Sequence, residues 1–91
     1  MSYALELADP AREELVRLDS WLAEETLDEI ERLAEQPPAH RTRTGTLVHD
    51  FVRIKGQARH YVFIVVFPDE VARVLRVESI GYYVRENEAD P

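Results

Sequence analysis

The sequence predicts an α+β domain of order β-α-α-β-β-β, with a helix hairpin on one face of a mostly antiparallel four-stranded sheet. Three observations carry this. Residues 3–7 alternate apolar and polar and stop at Asp9-Pro10. Two apolar stripes at helical spacing then run to Pro37-Pro38. Beyond a polar stretch the period changes from 3.6 to 2, and three strand-like runs follow up to residue 80.

Each element has a local reason. Asp9-Pro10 reads as an N-cap followed by proline at the first helical position. Ala11, Leu15, Leu18 and Leu22 form the first stripe, and Ala23, Leu27, Ile30 and Ala34, with Leu33 alongside, form the second. Asp19-Ser20 can end the first helix and cap the second. A capping box over Thr26 to Glu29 competes as a later start, and one bent helix over 10–36 is a third option. Pro37-Pro38 stops the helix. Residues 39–46 form a loop, and Trp21 sits at the corner between the helices as a packing residue.

Strands follow over 47–54, 58–67 and 71–80. The run Tyr61 to Phe67 is apolar on both faces, as in a central strand. Gly81 bends or ends the last strand. The first strand must join this sheet and the helices must cover one side of it. The other side stays open, partly apolar and lined with arginine.

The chain has 91 residues and a formal charge of −7, which fits one domain over 1–91 with a polar tail at about 86–91. Without cysteine it has no disulfide, thiolate zinc site or cysteine nucleophile. Gly45, Gly56 and Gly81 are too far apart to cradle a phosphate. No apolar run approaches a membrane span, and the start carries no signal-peptide pattern. The expectation is a cytoplasmic protein with no membrane contact, no metal and no cofactor. The charge is uneven. Residues 1–38 hold 11 acidic and 3 basic side chains, whereas residues 39–85 hold 8 basic and 4 acidic ones. An acidic helical part therefore sits on a basic sheet, and an anionic target of the sheet stays open.

The hairpin between the second and third strands decides how the cations are shared. A turn at residues 55–56 pairs Arg53 with Ala58 and sends Arg59 to the opposite face. A turn at residues 55–57 pairs Arg53 with Arg59, beside Tyr61 and Phe63. Two directly opposed arginines repel unless an anion lies between them, so such a pair marks a functional site. Lys55, His60, Arg76, Tyr82, Tyr83 and Arg85 are further binding candidates. His60 beside an apolar run reads as a structural histidine rather than a general base, and His49 and His60 fit no metal spacing.

The segments YALELADPAREELVRLD, LDEIERLAEQPP, FVRIKGQARHYVFIVVF and VARVLRVESIGYYVRE, in this order, resemble the RelE/ParE superfamily of toxins from type II toxin–antitoxin modules, often labelled plasmid stabilisation proteins. The resemblance spans roughly residues 3–85. Its best points are Gly56-x-x-Arg59 leading into an apolar strand, and Ile80-Gly81 near the end of the last strand. It implies a RelE-like fold, a growth-inhibiting protein and a cognate antitoxin as partner. The target is DNA gyrase in one branch and the ribosome with its mRNA in the other, and a homodimer is open to it. In members that cut mRNA, a basic sheet stabilises attack of a 2′-hydroxyl on phosphate. The matching positions here are Arg59 and, on the second strand, Arg53. The chain departs from that pattern in having Tyr82-Tyr83 where many nucleases carry a basic pair, a second strand whose basic positions are shifted by one, no tyrosine in the tail, and a negative net charge. These features rank target binding above ribonuclease action, with a non-catalytic binding module of the same fold as the remaining alternative.

Overall fold

The computed structural model describes residues 3–36 and 45–86. The elements are β1 (Ala4–Leu7), α1 (Asp9–Arg17), α2 (Ser20–Glu35), β2 (Leu47–Lys55), β3 (Ala58–Asp69) and β4 (Val74–Glu86). The four strands form one sheet in the order β1-β4-β3-β2. β2-β3-β4 is an antiparallel meander, and β1 adds to β4 in parallel, so the sheet is mixed.

The two helices are separate, as one of the three options foresaw. Leu18 is extended and closes α1, and Asp19 precedes α2. Neither aspartate acts as a side-chain cap. Asp9 lies inside α1, whose N-cap is Ala8, while Asp19 holds the N-cap position of α2 through its carbonyl, which accepts from the Leu22 and Ala23 amides at 2.9 Å each. Thr26 does not start a helix. It is buried within α2, and its hydroxyl donates to the Leu22 carbonyl at 2.8 Å, which satisfies the group away from water. Ile30 turns inward as expected, but Leu27 of the same stripe faces outward and Thr26 turns inward in its place. The Pro37-Pro38 stop, residues 39–44 of the loop and tail residues 87–91 lie outside the described residues.

The core lies between the helices and one side of the sheet. Leu22, Ile30, Leu33 and Ala34 of α2 meet Val62, Ile64 and Val66 of β3 and Leu75, Val77 and Ile80 of β4. Burying such side chains is the main favourable contribution to folding. The Tyr3 amide donates to the Ala34 carbonyl at 2.8 Å, which ties the start of β1 to the end of α2 and satisfies a terminal helix carbonyl.

Three features of the sheet differ from expectation, the first being that β4 begins at Val74 because residues 71–73 belong to the turn before it. The β2–β3 turn consists of Gly56 and Gln57, so Lys55 faces Ala58, Ile54 faces Arg59 and Arg53 faces His60. Neither predicted register occurs. Gly56 has φ +63, and a positive φ at the first central position is what a two-residue type II′ hairpin requires. Moreover, β4 does not stop at Gly81. It runs on to Glu86 because β3 offers a partner to every residue as far as Ala58. A bulge at Val65/Val66 faces the Val77–Ser79 stretch and leaves Glu78 unpaired.

Ile30→Ala is expected to lower unfolding free energy by about 2–5 kcal/mol, as for other buried aliphatic truncations. Gly56→Ala meets no neighbour but forces a left-handed conformation, and is expected to cost about 1–2 kcal/mol. Urea titration followed by circular dichroism measures both.

Candidate functional site

Side chains alternate along each strand, so the hairpin register sorts the candidate residues by face. On the side away from the helices, Arg59 of β3 stands directly opposite Arg85 of β4. The next pair along this face is Tyr61 and Tyr83, with ring centroids 4.7 Å apart and planes 12° from parallel. Phe63 follows, stacked on Tyr83 at 5.7 Å, opposite Gly81. A side chain at 81 would contact the Phe63 ring. The β2 neighbours of Arg59 and Tyr61 are Ile54 and Val52.

Arg59 and Arg85 are both exposed, and among the described residues neither has a hydrogen bond or an ion pair. Like charges in directly opposed strand positions repel. Asp50, a carboxylate on this face of β2, lies four residues from Ile54, about 13 Å along the strand. Among the described residues the pair is therefore uncompensated, and an anionic group held between the two guanidinium forks relieves it. The rings beside it offer a surface for an aromatic or planar group.

The other candidates lie elsewhere. Arg53 is on the helix side and does not meet Arg59. Its Nε donates to Glu25 at 2.9 Å and its Nη2 to Glu29 at 3.0 Å, which staples β2 to α2. His49 Nε2 lies 3.2 Å from the second Glu29 oxygen, and Arg32 approaches Glu29 at 3.0 Å. Burial pushes the Glu29 carboxyl up, but hydrogen bonds from Arg53 and His49 and the charges of Arg32 and His49 outweigh it and leave the group below its ordinary value. Hydrogen bonds to Glu25 and Glu29 likewise raise Arg53 against the effect of burial.

Lys55, His60 and Tyr82 form a second group on the helix side, around Trp21. Lys55 Nζ lies 4.5 Å over the indole. His60 meets the Trp21 edge at 5.0 Å and stacks on Tyr82, whose hydroxyl is 3.0 Å from His60 Nδ1. Trp21 packs as expected, and Tyr82 and Tyr83 face opposite sides. Arg76 is on the open side at the other end of β4, paired with Glu78 at 3.1 Å and Glu6 at 4.0 Å. The open-face cluster is thus Arg59 and Arg85 with Tyr61, Phe63 and Tyr83. Tyr61 and Phe63 were foreseen only as neighbours of Arg59. The i, i+2, i+4 spacing of Arg59, Tyr61 and Phe63 is the signal that places them together.

Glu29 carries its lowered pKa only in the folded state. Its contribution is present above the ordinary carboxyl range and is lost as pH falls through the folded value. Glu29→Gln is expected to flatten the acid limb of stability against pH. Arg53→Met leaves Glu29 without its main partner and is expected to cost about 1–3 kcal/mol. Urea midpoints between pH 3 and 7 test both.

No family model and no curated protein matches the sequence. Solved structures do match in fold. The toxin–antitoxin complex RelBE from E. coli contains a chain that superposes with a TM-score of 0.69 at 21% identity, covering 88% of this chain and 95% of that one. A mutant of the E. coli toxin RelE in the free state gives 0.68 at 21% identity, covering 99% and 88%. The complex RelBE2 from Mycobacterium tuberculosis gives 0.62 at 16% identity, covering 91% and 93%. With two helices on a four-stranded mixed sheet, this chain has the RelE fold.

Proposed function

We propose that the chain is the toxin of a type II toxin–antitoxin module, neutralised by a cognate antitoxin and acting in the cytoplasm by binding a cellular target. The fold supports this reading, since two of the solved structures that share it are toxin–antitoxin complexes. The observation that carries it is the opposed Arg59–Arg85 pair, without a carboxylate partner among the described residues, on the face the helices leave open. Two uncompensated guanidinium groups beside stacked rings suit an anionic target, whether on a gyrase-type enzyme or in the translation machinery.

Binding ranks above cleavage for a chemical reason. A ribonuclease needs a proton acceptor beside the reacting hydroxyl. Among the described residues, His49 and His60 both lie on the helix side and Arg53 is engaged with α2, which leaves only the hydroxyls of Tyr61 and Tyr83 beside the arginine pair. What Arg59 and Arg85 supply is charge stabilisation.

Induced expression is expected to stop growth, and co-expression of the antitoxin from the neighbouring gene to restore it. Arg59→Ala is expected to relieve the arrest while leaving stability within about 0.5 kcal/mol, because it removes repulsion rather than a contact. Growth curves with the protein level checked by immunoblot test this. Normal growth with abundant folded protein points to the non-catalytic binding module. New transcript ends after induction point to an endoribonuclease.

A further inference from the structure

The open face of the sheet is bipolar along its strands. At the hairpin end it carries Arg59 and Arg85, and among the described residues no carboxylate joins them. Asp50 lies midway. At the far end Glu6, Asp69 and Glu78 outnumber Arg76. Between the ends the surface is apolar, and Val48, Val52 and Tyr83 are 63%, 43% and 45% exposed. Its middle is flat, because Gly81 raises no side chain and the Phe63 ring lies 3.7 Å from where a Cβ would stand.

We infer that this face receives a second copy of the chain, open face on open face, about a twofold axis that crosses the strands at Phe63. The pattern of charge selects this occupant. Phe63 is four residues from Arg59 and four from Phe67, the position paired with Arg76. A twofold axis across the strands there reverses the face end for end, and lays each arginine pair over the acidic end of the other copy. A polyanion laid along the whole face meets Asp50, Glu6 and Glu78 instead, and a copy turned the other way sets arginine against arginine. Sheets pack about 10 Å apart with their strands within about 30°, a gap that an arginine and a glutamate together span. The covered length from Arg59 to Phe67 is about 27 Å over three strands, which keeps the interface below about 1,200 Å² in total. An area of that size makes a reversible dimer. On the toxin reading proposed above, which this consequence alone assumes, the dimer shields the arginine pair from its target and dilution releases it.

Sedimentation velocity of the full chain between about 5 and 500 µM is expected to show a monomer–dimer equilibrium that salt weakens. Arg59→Glu with Arg85→Glu in one chain, and Glu6→Lys with Glu78→Lys in another, should each abolish self-association. Their mixture should form a one-to-one dimer, since each chain then meets opposite charge at both ends. Asp50→Asn removes the like-charge contact at the axis and should tighten the dimer about threefold. Asp50→Cys should be joined to its counterpart by a bismaleimide about 10 Å long, and Val16→Cys on the exposed side of α1 should not. A chain that stays monomeric at every concentration, with or without a short oligonucleotide bound, overturns the proposal. So does a mixture that stays monomeric while both chains keep the native circular dichroism, or equal cross-linking from residue 16. The toxin reading is judged separately. A dimer whose chain is harmless on expression leaves the self-association standing and removes that reading, and growth arrest by a chain that stays monomeric does the reverse.

Discussion

A two-residue turn leaves no freedom in how β2 and β3 meet. With Gly56 and Gln57 at the tip, Lys55 must face Ala58, and every later pair follows. Because side chains alternate with period two, this choice also decides the face of each residue. Arg53 goes to the helices and Arg59 to the open side. A turn one residue longer would pair Arg53 with Arg59 and deprive Glu25 and Glu29 of their cation. The left-handed glycine therefore stands behind both the α2–β2 staple and the exposed arginine pair.

The two faces use their arginines in opposite ways. On the helix side, Arg53 sits between glutamates of α2, and its hydrogen bonds offset the burial of Glu29. On the open side, Arg59 and Arg85 oppose each other with no such partner among the described residues. The negative net charge does not describe this surface, since most of the acid lies in the first 38 residues. A binding face depends on local field rather than on the sum over the chain.

Much of the architecture was legible from the sequence. The apolar stripes, the Asp19-Ser20 break and the change of period each follow from spacing, and the apolar run in β3 marked the central strand. The faces of β2 were not legible, because the turn could take several lengths without changing the strands that flank it. Thr26 and Leu27 exchanged roles for a related reason. A threonine can enter a core when its hydroxyl turns back on the helix carbonyl one turn earlier, and hydrophobicity alone does not show this. Arg85 was among the binding candidates, but its position opposite Arg59 depends on a pairing between residues 26 apart.

The bulge beside Glu78 has its own effect on β4. Arg76 and Arg85 are nine residues apart, an odd number that in a regular strand sends them to opposite faces. Both lie on the open side because the strand spends one residue without a partner. Before the bulge the odd-numbered residues Leu75 and Val77 point into the core, and after it the even-numbered Ile80 does. The strand thus changes parity once along its length. Its first part is phased to β1 and the helices, its second to the arginines and rings of the open face, and the two halves of one ribbon keep separate alignments.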